Sequence, residues 1–141
     1  MKKWFTRIGR AMTMGLAWAA AWVPVGVIIG WLIVGEMEPE WFAGPVYAGF
    51  LCGAIFSVLA GTADARSALD EMSFPRAGIV GAVSGLVAGG LWLIVALLSD
   101  PPKWLFEGAV VGGLTALSAI SGVGSALVAR IAKNGGNAHP V

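Results

Sequence analysis

The sequence predicts an all-α polytopic membrane protein, a bundle of four transmembrane helices, and three observations carry that prediction. All nine lysines and arginines and all eight aspartates and glutamates fall outside four long apolar runs, 12–34, 41–63, 77–99 and 108–129. Each run reaches the roughly 20 residues of helix that a hydrocarbon core about 30 Å thick requires. Each is also continuous rather than alternating, and a helix satisfies its own backbone hydrogen bonds where no water is available. With 141 residues, 57% hydrophobic and 12% charged, the spans and their connections take up nearly the whole chain, a single transmembrane domain with a tail at 130–141.

The first run follows Lys2, Lys3, Arg7 and Arg10, as a signal peptide would, but it continues to Val34. That exceeds a secretory apolar region of about 7–15 residues, so a retained first span is expected. The second and fourth spans are each preceded by an acid, proline and interfacial aromatics. Glu38-Pro39 stands before Trp41-Phe42, and Asp100-Pro101-Pro102 before Trp104-Leu105-Phe106. Proline suits a first helical turn, so both read as helix starts. Between the second and third spans, Ser67 with Asp70 or Glu71 suggests a short helical turn, and Ser73 before Pro75 is a candidate cap.

Orientation follows from the basic residues. Four spans place the termini and the 65–76 connection on one side, with Lys2, Lys3, Arg7, Arg10, Arg66, Arg76, Arg130 and Lys133; the other side has Lys103 alone. Basic residues in short loops stay cytoplasmic, which puts both termini inside. Glu36, Glu38, Glu40, Asp100 and Glu107 make the outer loops acidic and describe a surface, and the paired acids near Glu36–Glu40 and Asp70–Glu71 are read as solvated loop charge. Trp4, Trp41 and Trp104 stand near span ends as membrane-interface anchors. Trp18, Trp22, Trp31 and Trp92 lie deeper, where large aromatics fill bundle gaps or face lipid.

A shift of 64 positions lays the second span on the fourth, matching Gly44 with Gly108, Gly49 with Gly113, Ser57 with Ser121 and Arg66 with Arg130. The first and third spans share Trp-Leu-Ile-Val at 31–34 and 92–95. A tandem duplication of a two-helix hairpin is therefore expected, with its axis along the membrane normal.

Glycines recur at every fourth position: Gly49 and Gly53 in the second span, Gly81, Gly85 and Gly89 in the third, Gly108 and Gly112 in the fourth. Such stripes let helix backbones approach closely, either within the bundle or against another protein. Gly81, Gly85, Gly89, Gly108 and Gly112 are expected to leave the most backbone accessible to a partner.

Catalytic chemistry is not visible. The small multidrug-resistance transporters resemble this chain in size and span number, yet their membrane-embedded first-span glutamate has no counterpart between Met12 and Val34. Ser57, Ser84, Thr115, Ser118 and Ser121 could line a polar path but more often bond their own helix or a neighbour. The lone His139 and the lone Cys52 make no haem or zinc site, and the serines have no histidine partner, so no cofactor, metal or catalytic residue is expected. A net charge of +1 argues against a nucleic-acid partner.

The runs Trp22-Val-Pro-Val-Gly26, Gly49-Phe-Leu-Cys-Gly53 with Phe56-Ser57, and Leu69-Asp-Glu-Met-Ser73 with Arg76 resemble small four-span bacterial membrane proteins. The resemblance covers the first two-thirds of the chain and implies a bacterial inner membrane without implying an activity. The expected role is a non-catalytic accessory subunit of a larger membrane complex, of respiratory or photosynthetic type, or a homo-oligomer; a small transporter or oligomeric pore is the alternative. The lipid bilayer is a partner in either case.

Overall fold

The computed structural model describes residues 2–34, 40–60, 69–99, 101 and 103–136. Four long helices account for almost all of them: α1 (Lys2–Val34), α2 (Glu40–Leu59), α3 (Phe74–Ser99) and α4 (Trp104–Gly136). Three are long and apolar enough to cross a membrane, over Ile8–Leu32, Phe74–Ser99 and Trp104–Gly135; the apolar part of α2 is shorter, Ala43–Leu59. Their outward surface is apolar, with Leu98 83% and Leu105 94% exposed. In water such a surface would drive association, whereas in hydrocarbon it is the matched one.

Helix boundaries differ from the predicted spans at the charged ends. The first helix starts ten residues before the apolar run, at Lys2, and α4 runs past Ala129 to Gly136, into the stretch read as a tail. The cause is local: Lys, Arg, Ala and Ile are sound helix formers, and nothing before Gly135 interrupts them. Residues 69–71 form a helical turn, as the sequence suggests, while Ser67 lies outside the described residues. Ser73 directly precedes α3, and its carbonyl accepts the first helical bond, from Ala77 N at 2.9 Å. Lys103 does the same for α4, accepting from Phe106 N and Glu107 N. The expected start at Glu38-Pro39 lies outside the described residues.

Packing is by hairpins. The first, α1 with α2, and the second, α3 with α4, are each closely fitted; between them α2 touches α3 and α4 more sparingly. At mid-height they are joined by a core of Trp18, Trp22, Cys52, Phe56 and Ala88. Trp18 and Phe56 rings lie 5.0 Å apart at 33°. Two indoles cross the seam, Trp18 Nε1 donating to Ser125 Oγ and Trp22 Nε1 to Ser121 Oγ, both at 3.0 Å. Donors and acceptors each repeat at four residues on antiparallel helices, so the two bonds are stacked one turn apart.

The end that carries the termini is held by polar contacts. Arg130 Nη2 donates to Met72 O at 2.8 Å and Arg130 Nε to Asp70 O at 3.3 Å, while its guanidinium lies 4.2 Å from the centre of the Phe74 ring. Lys133 Nζ pairs with Asp70 Oδ2 at 2.7 Å. Together these clamp the connection between the hairpins onto the last turns of α4.

Candidate functional site

The glycine positions named from sequence separate into two groups. Gly49, Gly53, Gly81, Gly85 and Gly89 lie against a neighbouring helix of the same chain, so none of the third-span stripe is left accessible, contrary to expectation. A methyl group at Gly49 would meet Trp18 O and Trp22 Cγ at 3.0 Å, and one at Gly53 would meet Met14 O at 2.8 Å. At Gly81 and Gly85 the obstacle is the α4 backbone itself, at Ser118 and Leu114. Gly108 and Gly112, by contrast, have open space where a side chain would stand. Gly44 and Gly113 are open too, although Gly113 corresponds by the 64-residue shift to the packed Gly49.

The open glycines of α4 line two different hollows. Gly108 and Gly112 belong to a groove of about 620 Å³ on the outer face of the second hairpin, walled by Ala82, Leu86 and Leu93 of α3 and continued along α4 by Ala116 and Ala119. Successive small residues at positions 108, 112, 116 and 119 make this a shallow furrow along the helix rather than a bowl. From Trp104 to Ala119 it follows about 22 Å of α4 at 1.5 Å per residue. Gly113 belongs to the second hollow, a cleft of about 660 Å³ between the hairpins, away from the termini.

Glu107 departs from its reading as an outer-loop surface acid. It occupies the first turn of α4, is only 8% exposed, and accepts a 2.7 Å hydrogen bond from Trp92 Nε1. An acid in a first helical turn is favoured by the unpaired N–H groups there, and the charge-assisted bond from the indole compensates part of its lost hydration. It stands at the head of the outer furrow, the one carboxylate among the described residues that line it. The sequence signal for its helical position was available: Glu107 stands three residues after Trp104, at the start of a helix.

The deep tryptophans take three roles. Trp18 and Trp22 are 3% exposed and bonded across the seam, Trp92 is half-exposed and holds Glu107, and Trp31 is 63% exposed. Of the interface anchors, Trp104 opens α4 and is 66% exposed. Trp4 and Trp41 lie within α1 and α2, with side chains outside the described set. Ser121 serves Trp22 as an acceptor, and Ser125, which sequence reasoning passed over, accepts from Trp18 and donates to Ser121 O at 2.8 Å. Ser84 and Thr115 donate to their own helices, to Gly81 O and Val111 O. Their hydroxyls are thereby engaged rather than arrayed along a path. Cys52 is fully buried beside Ser118.

At the terminal end, the hydrogen bond and charge of Lys133 hold the Asp70 carboxyl below the ordinary carboxylate range, and Asp70 raises the Lys133 ammonium in return. The Asp70 side chain is 8% exposed and Lys133 55%. The pair has no reactive geometry around it and serves as a clamp. Comparison of the chain with known protein families, with curated proteins and with solved structures returns no match.

Proposed function

We propose that this chain is a non-catalytic integral membrane subunit that docks, through the furrow along α4, against a helix of a larger membrane-protein complex. One observation carries the reading. The bundle's other glycine stripes are consumed by its own packing, while Gly108 and Gly112, followed by Ala116, lie open in a furrow that follows about 22 Å of helix from Trp104 to Ala119. Inside lipid, helices associate chiefly by close van der Waals contact, and small residues are what permit it. A furrow of this length and shallowness suits the ridge of a second helix, from a different protein or another copy of this chain.

In this reading α2 crosses as well, giving four spans, because Glu40–Leu59 amounts to about 30 Å of helix. Both termini then lie on the cytoplasmic side of a bacterial inner membrane, on the strength of the basic residues and the resemblance in the first two-thirds of the chain. Cysteines placed at Lys103 and Gly135 test the orientation, since Cys52 is buried and silent. An impermeant maleimide should label the first from outside and spare the second; the opposite pattern would reverse the assignment.

The docking itself is tested by purification from the native membrane. A partner should come through at fixed stoichiometry and be lost on Gly112→Leu, with the variant still inserted and melting as the parent does. Retention of the partner by Gly112→Leu would remove the furrow from consideration. The second reading, a small transporter or oligomeric pore, draws on the buried Glu107. Proton-driven solute uptake by the purified protein in liposomes, abolished by Glu107→Gln, would establish it in place of the subunit reading.

A further inference from the structure

We infer that the cleft between the two hairpins holds one acyl chain of a membrane phospholipid, drawn from the leaflet at the end away from the termini. The inference rests on the reading that these helices cross a bilayer, and it is independent of the partner at the outer furrow. Its first support is the chemistry of the wall. Leu51, Ala88, Leu91, Val110, Leu114 and their neighbours are apolar, and the two indole N–H groups in the lining are already committed, Trp22 to Ser121 and Trp92 to Glu107. Tyr47 carries the remaining lining hydroxyl, on a side chain 75% exposed at the rim. A buried water needs two to four polar partners, and the lining side chains offer only the Tyr47 hydroxyl, so the cleft takes hydrocarbon.

Depth identifies which hydrocarbon. From Phe106 to Leu117 the cleft follows about 16 Å of α4, half of a hydrocarbon core about 30 Å thick. Its lining ends at Trp22 and Leu117, next to the Trp22–Ser121 bond that joins the hairpins. A transmembrane helix of a partner must continue through both leaflets, whereas beyond that level the hairpins are joined by the Trp18–Ser125 bond and the core around Phe56. An acyl chain belongs to one leaflet and ends at mid-height. The volume of about 660 Å³ falls within the usual range for an elongated small-molecule ligand.

Gly112 and Gly113 make the test possible, because both have open space for a side chain and each opens into a different hollow. The protein is reconstituted into vesicles of palmitoyl-oleoyl phosphatidylcholine, extracted in mild detergent and weighed intact by native mass spectrometry. One phosphatidylcholine should remain per chain; Gly113→Leu should reduce the retained fraction about tenfold, and Gly112→Leu should leave it unchanged. Should Gly113→Leu fail to fold, Ala109→Leu fills the same cleft from an exposed position one turn away. A parent protein that retains no lipid, or a Gly113→Leu or Ala109→Leu variant that retains as much as the parent, overturns the inference. So does equal loss in Gly112→Leu, which would mark the lipid as a nonspecific coat. The partner reading stands or falls separately, on whether Gly112→Leu releases the partner.

Discussion

Both hairpins bring main chain to glycine, but the first shares each notch with an aromatic side chain, whereas the second closes more tightly at Gly81, Gly85 and Gly122, main chain on main chain. In the first, Gly15 meets the Phe50 carbonyl and ring, Gly49 the Trp18 carbonyl and the Trp22 ring, and Gly53 the Met14 carbonyl and the stem of Trp18. In the second, Gly81 and Gly85 lie against the main chain of Ser118 and Leu114, and Gly122 of α4 returns the contact at Ala77. The same four-residue spacing of small residues therefore gives two kinds of contact, and the difference comes from what stands opposite. Where the facing helix presents an aromatic ring, the ring holds the main chains slightly further apart; where it presents serine, alanine and leucine, they close further. The looser approach leaves an added methyl less to displace, and the tighter one forces the helices apart.

The largest effect expected from this contrast is at Gly85. Gly85→Ala should cost about 1–3 kcal/mol in detergent unfolding, the range for overpacking, because a methyl there meets α4 main chain. Gly49→Ala, whose nearest approaches are 3.0 Å to the Trp18 carbonyl and to the Trp22 ring, should cost clearly less. Equal losses at the two positions would erase the distinction between hairpins.

The seam between the hairpins is expected to be weaker than either interior. Trp18→Phe and Ser125→Ala, taken singly and together, should give a coupling of about 0.6–2 kcal/mol, the span measured for hydrogen bonds between membrane helices. A coupling indistinguishable from zero would show that the indole bond is incidental to joining the hairpins, and that ring packing on Phe56 does the work.

Smallest is the clamp at the terminal end. Asp70 is held below its ordinary pKa in the fold, so its contribution is present above about pH 4 and fades as pH falls through the lowered value. Lys133 is raised, so its share persists at neutral pH and is lost only as pH rises through the raised value. The melting difference between the parent and Asp70→Asn should thus be small at pH 7, smaller still in high salt because Lys133 is half-exposed, and should shrink as pH falls through the lowered value. A difference that does not change as the solution is acidified would assign the effect to the backbone bonds of Arg130 instead.

Much of this architecture was legible before any coordinates. The helical class follows from where the charges are missing, and the starts of α3 and α4 follow from Ser73 and from Asp100-Pro101-Pro102. The packing value of Gly49, Gly53, Gly81, Gly85 and Gly89 was legible from their spacing, although not which neighbour each would meet. Glu107 reads as an outer-loop acid even though the helix start at Trp104 is legible, because nothing in the sequence says that this first turn faces Trp92.

What the sequence determined by itself is the set of apolar helices, since a helix that satisfies its own backbone and keeps charge at its ends is dictated residue by residue, whatever lies beside it. What only the tertiary structure decided is which side of each helix is covered. Gly112 and Gly113 are adjacent and chemically identical, yet a helix turns about 100° between them, so one opens on the outer furrow and the other on the cleft between hairpins. Covering is a property of the neighbour, and the neighbour is chosen by the packing of all four helices together.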